Sequence, residues 1–135
     1  MIRQLLATHP NDLKYVVKHY PLSSHRFARK GAMAVLAARK QGKYWEFHRE
    51  LLKHYRDLNN EKIMEIAKNL GLDMEQFKKD LQSPASRELI RSDVENAMKI
   101  GVQGTPSVFL NGKRIQNRKL SQLSKFIQQE LNPSN

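Results

Sequence analysis

The sequence predicts an α/β fold in which several helices are inserted between short strands. Apolar residues recur every three or four positions over about residues 24–100, which is the period of an α-helix. Residues 15–17 read Tyr-Val-Val, a strand-forming run that Pro21 ends. Near the C-terminus, a predicted strand at residues 107–110 is followed by Asn-Gly, a common hairpin turn. These features predict a strand, a set of helices and a hairpin, in that order.

The length of the chain indicates one domain. At 135 residues the chain can bury a core without metal or disulfide crosslinks. We therefore expect a single domain over residues 1–135, with an inserted helical subdomain at about residues 24–100.

The first half of the chain has recognisable helix signals. Residues 2–8 read as the tail of a helix, and Ser23 or Ser24 can cap the next one, which Gly42 follows. A further helical face is formed by Trp45, His48, Leu51, Leu52 and Tyr55. We expect this face to be buried, and we expect the aromatic residues Tyr44, Trp45, Phe47 and Tyr55 to be core and interhelix contacts rather than a platform for bases. We expect His48 to be a packed, hydrogen-bonded histidine rather than a metal ligand.

The second half of the chain contains clearer signals for the starts and ends of helices and for a turn. Asp73 and Gln76 have capping-box spacing, and Ser83-Pro84 predicts the start of a long helix that Gly101 ends. The predicted buried side of that helix consists of Ile90, Val94, Ala97 and Met98. Asn111-Gly112 predicts a two-residue hairpin turn, because a type I′ turn needs positive φ at both central positions. The last helix shows an apolar stripe of Leu120, Leu123, Ile127 and Leu131.

The net charge of +11, from 24 basic and 13 acidic residues, raises the question of an anionic partner. The densest basic cluster contains Lys113, Arg114, Arg118 and Lys119, and the other basic residues are scattered along the chain. Because tight nucleic-acid binding needs clustered cations, this pattern favours solvated helix faces over a nucleic-acid site. A basic nucleic-acid-binding protein is kept as an alternative function.

The chain contains no cysteine, which excludes disulfides, zinc–thiolate sites and a thiol nucleophile within these residues. The five histidines show no metal-ligand spacing, and no phosphate-binding loop or serine nucleophile motif is present. We expect no metal, no cofactor and no catalytic residue in this chain. No apolar run approaches membrane-spanning length, and MIRQLL is too short and polar for a signal peptide.

Two stretches together resemble one known family. They are VVKHYPLSSHRFARKGAMAVLAARKQGKYWEFHRELL and AMKIGVQGTPSVFLNGKRI. The order and spacing of these residues are similar to the DsbA-like branch of the thioredoxin superfamily. The resemblance implies a thioredoxin-like fold with an inserted helical subdomain, and a thiol–disulfide oxidoreductase that exchanges disulfides with protein substrates.

The resemblance also implies a substrate-docking site at Val102, Thr105 and Pro106. In the family, the pair equivalent to Thr105-Pro106 is joined by a cis peptide bond, a geometry confined essentially to proline. The bend exposes the backbone N–H and C=O of Thr105, so that an extended peptide or an unfolded protein can pair with them as an added strand. Proline contributes no N–H of its own at this point.

The sequence departs from the family where the redox chemistry belongs. Family members carry Cys-x-x-Cys at the start of their first helix, after a first strand that lies in the centre of the sheet. This chain begins at a position that resembles the far end of that helix, so we expect it to lack the central strand and to be redox-inactive as given. The expected explanations are an incomplete piece of a longer protein, direct pairing of the neighbouring strands, or a strand-sharing dimer.

Two functions from other classes therefore stand beside the oxidoreductase. One is a non-redox thioredoxin-fold module that binds extended peptides, and the other is the basic nucleic-acid-binding protein. By resemblance, the expected location is the periplasm or cell envelope. Because no signal peptide is present in these residues, the cytoplasm is kept as the alternative location.

Overall fold

The computed structural model describes residues 2–116 and 119–132, which form seven helices and one β-hairpin. In chain order the elements are α1 (Ile2–Thr8), α2 (Ala28–Lys40), α3 (Tyr44–Lys53), α4 (Asn60–Asn69), α5 (Met74–Asp80), α6 (Pro84–Lys99), β1 (Val108–Leu110), β2 (Lys113–Ile115) and α7 (Leu120–Leu131). They fall into two compact units. The hairpin unit comprises Met1–Val17 and Val102–Asn135, and the helical unit, Lys18–Gly101, is inserted between its two parts.

The hairpin unit is built around β1 and β2, which pair antiparallel with Val108 opposite Ile115. Asn111 and Gly112 have φ values of 46° and 78°, so the turn predicted from the Asn-Gly pair is confirmed. Both helices of this unit contribute apolar side chains to one core. Its buried members are Leu5, Ile115, Leu123 and Ile127. Val108 and Leu110 pack against this core, because alternate residues of β1 face the same side.

The strand predicted at residues 15–17 is not present, and that prediction is wrong. The chain from residue 13 to residue 22 contains neither helix nor strand, and the sheet of the described residues is the two-stranded hairpin. Val16 is 55% exposed. A strand is defined by the ladder it shares with a neighbour, so β-forming residue types alone do not produce one.

The helical unit surrounds α2, whose central residues are almost completely buried. Phe47 on α3 is fully buried and its ring lies 5.6 Å from that of Phe77 on α5. The predicted starts of α5 and α6 are confirmed, but the capping box of α5 is only half formed, because the Asp73 N–H donates to Gln41 Oε1 instead of to Gln76. The Asp73 side chain accepts from the N–H of Gln76, and the Ser83 hydroxyl accepts from the N–H of Ser86.

Other predictions for the helical unit are wrong in part. On α3, Phe47 is buried and Tyr44 packs against the core as predicted, but Trp45 is 41% exposed and Leu52 and Tyr55 are more exposed still. On α6, Ile90 is buried and Val94 packs beside it as predicted, but Met98 is exposed, and the polar residues Ser86 and Asp93 are buried. Both helices carry more apolar residues than one face can bury, so contacts with α2 select the face that becomes core.

The cap predicted for α2 is also displaced. The helix begins at Ala28, after turns over residues 23–27, and Phe27 occupies the capping position without a side-chain hydrogen bond. Ser23 and Ser24 therefore do not cap it. Among the described residues, no helix combines the length and apolar character needed to cross a bilayer.

Candidate functional site

The candidate site is the loop that joins α6 to β1 in the hairpin unit. Val102, its first residue in that unit, is 8% exposed, whereas Thr105 and Pro106 are exposed. The Thr105–Pro106 peptide bond is cis, the isomer expected from the sequence. The loop therefore has a buried beginning and an exposed centre, which leads directly into β1.

Thr105, like Gln103, is an exposed residue of this loop whose backbone is available for pairing. No hydrogen bond links its N–H or its C=O to another residue in the described part of the chain. Both groups belong to an exposed residue, so water satisfies them in the isolated chain. Pro106 follows without an N–H. An extended peptide could replace that water by two backbone hydrogen bonds to one residue.

Ser107 and Arg114 hold the far side of the loop. The Ser107 hydroxyl donates to the carbonyl of Gly104 at 2.8 Å, which closes a turn around Thr105 and Pro106. Arg114 on β2 donates from Nη2 to the Ser107 hydroxyl oxygen at 3.4 Å. In the sequence, Arg114 belongs to the densest basic cluster, and no role was predicted for Ser107. Two features of the sequence could have predicted this contact. Ser107 directly follows Thr105-Pro106, and the Asn111-Gly112 turn sets the register that brings β2 beside β1.

The hairpin tip has a separate electrostatic arrangement. Glu130 on α7 accepts from Lys113 Nζ at 2.7 Å and from Asn111 Nδ2 at 2.9 Å. The hydrogen bond from Lys113, with that from Asn111 second, lowers the pKa of Glu130. The charge of Lys113 is thus matched by a carboxylate. Of the predicted basic cluster, Arg118 lies outside the described residues.

The helical unit contains a cluster of aromatic and imidazole rings. The His48 ring stacks on Tyr44 with centroids 6.0 Å apart, and His19 meets the edge of Tyr44 at 6.4 Å. Burial lowers the pKa of both histidines. The packing predicted for His48 is present, but its ring makes no hydrogen bond to a described residue. Within the described ranges, no group of three histidine or acidic side chains could hold a metal ion.

The residues of this chain cannot by themselves carry out thiol–disulfide exchange. Thiol–disulfide exchange needs a thiolate, and the 135 residues contain no cysteine. The predicted residues Thr105 and Pro106 form an exposed pair. The side chain of Val102, which is buried, serves the packing of the loop.

Comparison with known proteins connects this loop to a family. A model of the thioredoxin family (Thioredoxin_4) matches residues 4–129. The Na(+)/H(+) antiporter NhaA 3 of Salinispora tropica is 36% identical over 114 residues, covering 84% of this chain and 17% of the antiporter. The antiporter NhaA 1 of Mycobacterium sp. (strain KMS) is 39% identical over 107 residues, covering 77% of this chain and 18% of that antiporter. The chain thus spans less than a fifth of these two relatives.

Two solved structures share the fold over almost the whole chain. A thioredoxin-like oxidoreductase from Silicibacter pomeroyi DSS-3 superposes with a TM-score of 0.82 and 26% identity, over 99% of this chain and 76% of that protein. The thiol-disulfide exchange protein α-DsbA2 from Wolbachia pipientis gives a TM-score of 0.83 and 25% identity, over 96% of this chain and 70% of that protein. The predicted thioredoxin-like fold with a helical insertion is confirmed. The chain belongs to the thioredoxin family, in its DsbA-like branch of thiol–disulfide oxidoreductases.

Proposed function

We propose that this chain is the peptide-docking part of a DsbA-type thiol–disulfide oxidoreductase, and that Val102, Thr105 and Pro106 form its docking loop. The observation that carries the proposal is that Thr105 is exposed and that its backbone N–H and C=O have no hydrogen-bond partner among the described residues. The family supplies the context, because its members act on polypeptides.

The docking step uses the backbone of an extended polypeptide. The visiting chain donates one N–H to the Thr105 carbonyl and accepts the Thr105 N–H, as an added strand does. Backbone pairing of this kind is tolerant of sequence, which suits an enzyme that meets many unfolded substrates. The buried side chain of Val102 anchors the start of the loop, and Ser107 closes its other end on Gly104.

The exchange reaction itself needs cysteines that these residues do not contain. In the proposed whole protein, a thiolate attacks a disulfide sulfur, a mixed disulfide forms, and the other sulfur leaves as a thiolate. The chain by itself binds without exchanging. A periplasmic or cell-envelope location belongs to the same proposal, because stable disulfides form in oxidising compartments. Sharing of a strand in a dimer stays a prediction.

The proposal is tested by the binding of a fluorescent, uncharged, unfolded peptide to the purified chain, followed by anisotropy. Thr105→Arg should weaken binding severalfold, because a long side chain crowds the docking backbone. Ser121→Arg, which adds the same charge on an exposed residue of α7, is the matched control and should bind as the unmodified chain does. Unchanged affinity in Thr105→Arg, or no binding by any form, would reject the docking loop.

Binding of DNA or RNA to the chain is measured in parallel by a gel mobility assay at two salt concentrations. Retention that weakens with salt would favour that alternative, because counterion release dominates such binding. Peptide binding by the complete protein without exchange would favour the non-redox module.

A further inference from the structure

The tip of the hairpin contains a chemically reactive pair of residues. Asn111 is the one asparagine of the sequence that is followed by glycine. The side-chain amide of an asparagine can be attacked by the backbone nitrogen of the next residue, and glycine has no side chain to hinder that attack. A Cβ added to Gly112 would meet no atom within 4 Å, so the space around this residue is open. Asn111 and Gly112 are both exposed to water.

The backbone nitrogen of Gly112 is available for this attack. The strand pairing of the hairpin ends at Leu110 and Lys113, which flank the turn. No hydrogen bond links the Gly112 N–H to another residue in the described part of the chain. A backbone N–H that belongs to a ladder would have to give up that bond before its nitrogen could react, whereas the N–H of Gly112 exchanges only with water.

The side chain of Asn111 joins the tip of the hairpin to α7. Its Nδ2 donates to Oε2 of Glu130 at 2.9 Å, while Lys113 Nζ donates to the other carboxylate oxygen at 2.7 Å. An ionised carboxylate only accepts hydrogen bonds. If the amide of Asn111 became a carboxylate, two acceptors of like charge would face each other where a donor and an acceptor now meet. Of the two donors to Glu130, Lys113 alone would be left.

We propose that Asn111-Gly112 is a site of spontaneous deamidation in the folded chain, and that the conversion releases the tip of the hairpin from α7. The backbone nitrogen of Gly112 supplies the nucleophile, and the hydrogen bond to Glu130 is the contact that the reaction destroys. The modification is independent of the proposed peptide docking, because no residue of the docking loop takes part in it.

The reaction consumes one water molecule and releases ammonia. The nitrogen of Gly112 loses its proton to hydroxide and forms a bond to Cγ of Asn111, while Nδ2 takes a proton from water and leaves as ammonia. Water then opens the five-membered imide ring by breaking one of its two C–N bonds. Breaking the bond to Cγ gives an ordinary aspartate. Breaking the bond to the main-chain carbonyl carbon gives an isoaspartate, whose main chain runs through the former side chain.

The isoaspartate product also changes the turn. Its main chain contains an additional carbon atom, and the length of a two-residue turn sets the register of the strands that it joins. The pairing of Leu110 with Lys113, directly beside the turn, would be disturbed first. Both products therefore loosen the tip, one through charge and the other through charge and length.

The first experiment tests the site. The purified chain is incubated at neutral and at mildly alkaline pH, digested, and analysed by mass spectrometry, with a synthetic peptide of residues 107–116 as the unfolded reference. We expect the folded chain to lose ammonia at Asn111, and to lose it faster at the higher pH. Asn11, in an exposed turn of the same unit but followed by aspartate, is the matched control and should keep its amide. An intact Asn111 in a folded chain whose peptide converts, or equal conversion of Asn11, would overturn the site.

The second experiment tests the release from α7. Asn111→Asp carries the aspartate product in every molecule, and hydrogen exchange of the hairpin amides should be about fivefold faster in it, the effect of one lost hydrogen bond on local opening. Asn11→Asp adds the same charge to the same unit and should exchange as the unmodified chain does. In a Glu130→Gln chain the new amide can donate to the carboxylate, so Asn111→Asp should accelerate exchange less there. Equal acceleration in both backgrounds, or none in either, would overturn the release.

Discussion

The backbone N–H of His19 donates to Oδ2 of Asp93 at 2.9 Å, a contact between residues 74 positions apart in the sequence. The other carboxylate oxygen accepts from Lys18 Nζ at 3.0 Å. Asp93 is only 5% exposed, and it joins the first residues of the helical unit to α6. One buried carboxylate thus holds an irregular segment that no strand pairing secures among the described residues.

Replacing Asp93 should therefore destabilise the helical unit. Asp93→Ala removes a hydrogen bond to a backbone N–H and another to a charged amine, and should lower the free energy of unfolding by about 2 kcal/mol. Asp93→Asn keeps an acceptor and should cost less. Urea denaturation monitored by circular dichroism measures both. Glu95→Ala, on the exposed side of the same helix, is the control. A loss in Glu95→Ala as large as that in Asp93→Ala would contradict the role of Asp93.

Stability should also fall as the solution becomes mildly acidic. The pKa of His19 is lowered, chiefly by burial. The negative charge of Asp93 acts in the opposite direction, and the charges of His48, Arg39 and Lys18 lower this pKa further. Burial lowers the pKa of His48 as well. The unfolded chain then binds protons more readily than the folded chain, so this contribution is complete above the ordinary histidine pKa of about 6.5 and is lost as the pH falls below it.

The measurement is urea denaturation at several pH values between about 7.5 and 5, the range that brackets histidine titration. His48→Phe keeps a ring on Tyr44 but removes one titrating group, so the fall in unfolding free energy with pH should become shallower. His25→Gln removes an exposed histidine outside the ring cluster and should keep the slope of the unmodified chain. Equal slopes in His48→Phe and the unmodified chain would show that the cluster does not set the pH response.

The purified 135-residue chain should not reduce insulin above the background rate with dithiothreitol. Disulfide exchange requires a thiolate, and the chain has none. Turbidity of precipitating insulin B chain measures the rate, and a DsbA-like protein with both cysteines is the positive control. Turnover above background would mean that the reaction does not need a thiol from this chain.

Features that depend on a few neighbouring residues were predicted correctly. The Asn111-Gly112 turn and the Asp73 and Ser83 caps form because the required φ values and hydrogen bonds lie within four residues of one another. The exposed Thr105-Pro106 pair could be located for a similar reason, since its motif is local and specific in order.

What the sequence by itself determined, then, is the local geometry: the turns, the caps, the helix periods and the position of the loop. The tertiary structure alone decided which face of α3 is buried, that residues 15–17 form no strand, and that Asp93 is interior. It also placed Arg114 against Ser107. Each of these depends on a partner distant in the sequence, and residue type or spacing does not specify which distant atoms will be there to bury a ring, pair with a strand or accept a hydrogen bond.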